Sequence, residues 1–234
     1  SKEPVTVLLS KNGWVKSIKG HQDDYSSVKY KEGDSEKFIV KCKSNSKLVI
    51  FSTLGKFYTI NCSRVSSGRG FGDPISLLID KNDNEEVLFF KIYEQDKEFL
   101  ITSSAGKGFF VNSSDFIAST KSGKKVMNLK DNDRAVSCAE KKGDLIVSIS
   151  GEKKSFKLLA FNSSEIPNMQ KGRGVTLQKF KSGKTINAFC ADSNEGIINE
   201  RSKKVLLSAK DLKKWLGKRA QAGRIEPKNL HSKI

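Results

Sequence analysis

One unit recurs along this chain: a β-type run, a tight turn holding Gly and Lys, and a second β-type run. It reads KNGWVKSI at 11–18, TLGKFYTI at 53–60, SAGKGFFV at 104–111, SGEKKSFKLLAF at 150–161 and ERSKKVLLS at 200–208. Measured at Gly13, Gly55, Gly106, Lys153 and Lys203, successive copies stand 42, 51, 47 and 50 residues apart. A period of this length, with two strands in each copy, predicts propeller-like blades of about four strands that bury their faces on one another. The other apolar stretches agree with it. Val5–Leu9, Leu48–Phe51, Val87–Ile92 and Leu145–Ile149 are short, rich in β-branched and aromatic residues, and bounded by Gly, Asn, Asp, Ser and Lys. Such a chain is all-β, built as a sandwich, barrel or propeller. Only Ser208–Gly217 reads as a helix, with Ser208 as N-cap, Asp211 three residues on, Leu212, Trp215 and Leu216 on one face, and Gly217 as stop.

Two further features keep the same period. The second strand is followed by a polar turn and one apolar plug, in turn Val65, Phe116, Ile166 and Leu212. Then comes a glycine turn with a cation: Gly68-Arg69-Gly70-Phe71, Gly123-Lys124-Lys125-Val126, Gly172-Arg173-Gly174-Val175 and Gly223-Arg224-Ile225, at spacings of 55, 49 and 51 residues. Glycine there permits positive φ or close backbone approach, and the cation projects from a turn. Positive charge is thereby expected at equivalent places on successive blades.

Charge points to the partner. Lys plus Arg outnumber Asp plus Glu by 43 to 26, a formal charge of +17, and residues 201–234 alone carry +9. So large an excess favours a polyanion over a neutral ligand, although each single Lys can also be read as an ordinary solvated side chain. Cys42, Cys62, Cys138 and Cys190 form no CxxC pair and have only His21 and His231 beside them in the whole sequence, so the expectation is apolar filler in a reducing cytosol, with no metal or other cofactor. No apolar run approaches the roughly 18 residues that span a bilayer. The acidic pairs Asp23-Asp24 and Glu85-Glu86 fall in polar loop segments without an identifiable partner, and no Walker loop, nucleophile elbow or metal cluster is present. No enzyme class is supported.

The segment LLSKNGWVKSIKGHQDDYSSVKYKEGDS at 8–35 resembles the opening of the C-terminal β-pinwheel domains of the gyrase A/ParC family, with Gly-Trp-Val-Lys, Lys-Gly-His and a Tyr-Lys-x-Gly-Asp stretch. STLGKFYTI, SSGRGFGDPI, SSAGKGFFV, QKGRGV and the terminal GKRAQAGRI extend the likeness over the whole of residues 1–234. The resemblance implies a β-pinwheel of about five four-stranded Greek-key blades with a short C-terminal helix, forming one domain that bends duplex DNA around a basic rim without cleaving it. Tyr25, Tyr30, Tyr58 and Tyr93 do not match the family's strand-cleaving tyrosine. It further implies two partners besides DNA, namely the catalytic core of the same polypeptide (the A subunit of a type IIA topoisomerase) and, through that core, the ATPase B subunit. A monomeric isolated domain and a cytoplasmic, nucleoid-associated location belong to the same expectation. The Gln-Arg-Arg-Gly-Gly-Lys-Gly box of gyrase A domains is missing, which favours the ParC type over the gyrase type.

The candidate DNA contacts are the cations in or beside the repeated turns: Lys16, Lys19, Lys56, Arg69, Lys107, Lys124, Lys125, Lys153, Lys154, Arg173, Lys203, Lys204 and Arg224. Lys210, Lys213, Lys214, Lys218 and Arg219 are assigned to the terminal helix and its C-terminal end. Trp14 and Trp215 read as packing residues rather than base-stacking platforms. A propeller-like scaffold for acidic proteins and a gyrase-type wrapping domain remain as alternatives.

Overall fold

The computed structural model describes residues 2–68 and 70–234, and the chain divides into two compact units. One unit comprises Ser1–Ser52, Lys56–Gln95 and Ile117–Lys124, and the other Thr53–Gly55, Asp96–Phe116 and Lys125–Ile234. The first holds two four-stranded sheets. Their strands run in the spatial order Glu36–Lys43, Pro4–Ser10, Trp14–Lys19, Asp73–Pro74, and Val87–Ile92, Lys47–Ser52, Lys56–Asn61, Lys124–Lys125, of which Lys125 is counted with the second unit. The second holds Ala135–Glu140, Glu98–Ser103, Lys107–Asn112, Val175–Thr176, then Lys184–Ala191, Leu145–Glu152, Ser155–Asn162, Arg224–Ile225, and a ribbon of Ile197–Ile198 with Val205–Leu207.

Every four-stranded sheet follows one plan. A hairpin of first and second strands lies at the centre, the third strand flanks the first, and a two-residue fourth strand flanks the second. That fourth strand is borrowed, because it lies beyond the hairpin of the next repeat. The expected tight turns each hold a left-handed residue: Gly13, Gly55, Gly106, Lys153 and Lys203 all have φ between +55° and +85°. The first strands KLVIFS and LIVSISGE are buried almost throughout. KLVIFS reads as an almost continuous apolar run because it is enclosed on both faces.

Three of the plugs follow a single turn of helix, and Leu212 ends one. Cys62–Arg64, Ser113–Asp115 and Ser163–Glu165 are 3-10 turns, and Val65, Phe116, Ile166 and Leu212 are buried behind their turns as expected. The turn redirects the chain toward the previous sheet. Within the first unit Val7, Leu9, Val15, Leu48, Ile50, Tyr58, Ile60 and Ile75 share one core, and Phe38 and Phe90 on the third strands meet edge to face at 6.3 Å. Third strands also pack together in the second unit. The borrowed strand therefore occupies the opposite edge of each sheet.

Four expectations are corrected. The fifth repeat is a two-stranded ribbon, because residues 213–234 supply the borrowed strand Arg224–Ile225 and then form the 3-10 turn Leu230–Ser232 where other repeats have a third strand. The terminal helix starts at its expected cap, Ser208, whose side chain accepts from the Asp211 N–H, but only Ala209–Leu212 is α-helical and Lys213–Trp215 is 3-10. It stops early because Leu216 bridges Ala160 and the Gly217 N–H donates to the Ala160 carbonyl at 2.8 Å, which needs extended chain. Glu85 is no surface loop residue. It is buried, accepting from the Ser52 and Tyr58 hydroxyls and the Asn82 N–H, and burial together with this carboxylate pushes the Tyr58 phenol above its ordinary value. Finally, the glycine register differs, as described next.

Candidate nucleic-acid interface

The loop leading into each borrowed strand makes a U-turn against the edge of the sheet. In the first sheet Ser17 bridges Ser67 in parallel, while Val15 and Trp14 pair antiparallel with Asp73 and Pro74. In the third, Phe110 bridges Asn168 and Gly108 pairs Val175; in the fourth, Ala160 bridges Leu216 and Leu158 pairs Arg224. One glycine closes each turn: Gly72, Gly123, Gly174 and Gly223, with φ of +86°, +77°, +86° and +81°. A β-carbon there would lie 2.1, 2.8, 2.3 and 2.4 Å from the carbonyl oxygens of Val15, Phe57, Gly108 and Leu158. Only glycine fits, since both the close approach and the positive φ exclude a side chain. The equivalent glycines are thus 51, 51 and 49 residues apart, and Gly68 and Gly172 are not among them.

This register sorts the thirteen candidates. Lys124, Lys125 and Arg224 are exposed on borrowed strands, and Arg173 is half-buried directly before Gly174. Lys153 and Lys154 are exposed at a hairpin tip, as are Lys203 and Lys204 on the ribbon. Tip and borrowed strand share one end of the edge: Lys107 pairs with Thr176, two residues beyond Gly174, and Lys157 pairs with Ile225 next to the Lys153 tip. Two candidates serve the fold instead. The Lys16 ammonium donates to the Gly70 carbonyl at 2.9 Å, bracing its loop, and half-buried Lys56 lies 5.7 Å from the Tyr58 ring. Lys19 is exposed at the far end of its strand, opposite Val5. Arg69 lies outside the described residues.

The same register finds cations that the sequence reading missed or assigned elsewhere. Lys171 and Lys218 are exposed in the U-turns, three and five residues before the closing glycine, while Lys121, two residues before Gly123, donates to the Leu77 carbonyl at 3.0 Å. Lys218 and Arg219 belong to such a loop and not to a helix end. Arg219 is half-buried and donates to the Thr176 carbonyl at 2.9 Å, so its role is structural. A groove of about 440 Å³ in the second unit is flanked by Lys157, Lys179 and Lys181. Its floor is closed by Gln178, which is buried and bonded to Ser148, Ser150 and the Lys157 and Ala222 carbonyls.

Carboxylates concentrate at the other end of the third sheet. Glu140 pairs with Lys97 and Lys142 at 3.4 and 3.2 Å, and Glu98 with Lys141 at 3.4 Å. Among the described residues Lys125, Lys153, Lys154, Arg173, Lys203, Lys204 and Arg224 form no ion pair. Their charge is available to an external anion. The tryptophans do pack: the Lys31 ammonium sits 3.4 Å over the Trp14 ring, and the Trp215 indole N–H donates to the Ile225 carbonyl. Cys42 and Cys62 are buried, with Sγ atoms 3.9 Å apart, and burial followed by the neighbouring thiol pushes Cys42 up to about 12.

Known proteins share this plan. The family described as DNA gyrase C-terminal domain, beta-propeller, matches residues 97–139 and 160–191. The chain is 43% identical to the A subunit of DNA topoisomerase 4 from Rickettsia felis over 231 residues, 99% of this chain and 31% of that protein. It therefore spans about a third of the length of that relative. The solved C-terminal domain of Escherichia coli ParC superposes with a TM-score of 0.81 at 28% identity, covering 97% of this chain and 95% of that one. The DNA gyrase A C-terminal domain gives 0.64 at 25% identity, covering 94% and 76%. With its repeat plan, borrowed strands and matches in agreement, the chain belongs to the gyrase A/ParC family of C-terminal β-pinwheel domains.

Proposed function

We propose that the chain, acting as one five-repeat domain, binds duplex DNA without reading its sequence and bends it along the borrowed edges of its sheets. In this role it is the non-catalytic C-terminal part of the larger, DNA-cleaving polypeptide of topoisomerase IV in the bacterial cytoplasm. There it steers a DNA segment toward the catalytic core of that polypeptide, which works with a separate ATPase polypeptide to relax or decatenate DNA. The observation that carries the reading is the set of tip and borrowed-strand cations Lys125, Lys153, Lys154 and Arg224, which form no ion pair among the described residues and stand at one end of the second and fourth sheet edges. Cations so placed neutralise successive phosphates and release counterions. Bending 20–30 base pairs costs on the order of 1–6 kcal/mol, which several added phosphate contacts offset.

A titration of random-sequence duplex over a range of salt tests it. With about 6–8 phosphates neutralised, log K should fall against log salt with a slope of roughly −0.9 per contact, independent of sequence. Absence of binding at low salt refutes the reading, and saturable binding of an acidic polypeptide in its place would favour the scaffold alternative. Without the heptapeptide box, strong chiral wrapping is not expected. Trapping of positive writhe in ligated circles by this chain alone would move it to the gyrase type.

A further inference from the structure

The residue just before the closing glycine is Ser122, Arg173 and Ala222 in three of the U-turns and Phe71 in the first. Phe71 leaves 41% of its surface exposed on a loop where burial of an aromatic ring would be favourable. It has nowhere to retract. The hollow it lines with Trp14, Lys16, Tyr30 and Lys31 holds about 10 Å³, the space of one water, and the face of Trp14 is already covered by Lys31. The loop is also held from the strand side, by Lys16 on the Gly70 carbonyl and by the close fit of Gly72 against Val15. An exposed ring on a braced turn thus stands beside a hollow lined by Lys16, Lys29 and Lys31 against the single carboxylate of Asp34, net positive surroundings that attract a polyanion. Apolar side chains in such settings enter between base steps and kink the duplex.

Resting on the DNA-binding reading above, we propose that Phe71 is a wedge that inserts into the base stack of bound duplex and fixes the site of a kink. The phosphate contacts supply affinity, and Phe71 decides where the bend falls. Trp14, capped by a cation, takes no part.

The test uses the 234-residue chain and a duplex of about 30 base pairs carrying end-to-end energy-transfer dyes and 2-aminopurine at several central steps. The wild type should shorten the end-to-end distance and raise 2-aminopurine fluorescence. Phe71→Ala should lose most of the fluorescence rise and straighten the duplex, with the salt slope unchanged, while Phe71→Leu, which keeps an apolar wedge, should retain both signals. Leu77→Ala removes an exposed apolar side chain of the same sheet region outside the loop and should change neither. Wild-type bending and unstacking by Phe71→Ala, or equal losses from Leu77→Ala, would overturn the wedge while leaving DNA binding intact. A wild type that gives no binding isotherm at low salt would remove both readings.

Discussion

Gly70 and Gly72 stand two residues apart in one U-turn and share a positive φ, +101° and +86°, yet their surroundings differ completely. A β-carbon at Gly70 meets nothing within 4 Å, whereas one at Gly72 would lie 2.1 Å from the Val15 carbonyl oxygen and 2.7 Å from the Lys16 β-carbon. Gly70→Ala therefore carries only the left-handed strain, about 1–2 kcal/mol. Gly72→Ala carries the same strain and must also push the borrowed strand off the sheet. That breaks the Val15–Asp73 pairing and the bond from the Ile75 N–H to the Gly13 carbonyl at 2.7 Å, at about 1 kcal/mol each. With the loosened Ile75 packing, the total should reach roughly 3–5 kcal/mol. Urea titrations of both variants followed by far-UV circular dichroism read the difference as separate midpoints. Equal midpoints, or a milder effect at Gly72, would show that the contact with Val15 does not hold the borrowed strand.

Other outcomes follow from the same geometry. Lys125→Ala, Arg173→Ala and Arg224→Ala should each weaken DNA binding across all sequences and lower the magnitude of the salt slope by about 1, measured by anisotropy titration; Lys203→Ala, on the separate ribbon, discriminates how far the track extends. Glu85→Ala leaves the Ser52 and Tyr58 hydroxyls and the Asn82 N–H without their acceptor in the core and should lower stability by about 2–4 kcal/mol, checked by denaturant midpoint. Asp144 is held below the usual aspartate value by bonds from the Ser193 backbone N–H and then its hydroxyl. Its folded value is the lower one, so its stabilisation is present above the unfolded value near 3.9 and is lost as pH falls through the folded value. Stability curves of wild type and Asp144→Asn should accordingly converge at the acid end, and a gap that widens on acidification would contradict the assignment.

The local features were legible in the sequence, while the nonlocal ones were not. The five turn anchors and the four plugs follow from short-range chemistry: a two-strand hairpin needs a left-handed residue, and a single apolar side chain after a polar turn needs a core. Strand borrowing has no such local signature. Asp73–Pro74 and Lys124–Lys125 have neither length nor alternation, and they become strands only because an edge more than fifty residues earlier accepts them. For the same reason Gly-Arg-Gly invites alignment on its first glycine, although the contact that selects glycine, with a distant carbonyl, falls on Gly72 and Gly174. The apolar face of Leu212, Trp215 and Leu216 suits a helix, but pairing of Leu216 with Ala160 overrides that preference. Glu85 looked like a loop acid because its partners, Ser52 and Tyr58, are remote in sequence. Within the candidate site the charge was visible, but its division into braced cations, such as Lys16 and Arg219, and available ones needed the sheets.

Borrowing also sets a timetable for synthesis. The second strand of each four-stranded sheet is completed some 54 to 63 residues before the strand that covers it. At ribosomal rates of 5–20 residues per second, each repeat therefore waits roughly 3–13 s with a bare hydrogen-bonding margin. During that interval a neighbouring nascent chain can lend the same segment in the same geometry, producing intertwined copies rather than misfolded ones. Polysome crowding and translation speed, more than intrinsic stability, should then govern how much of this protein leaves the ribosome as single molecules.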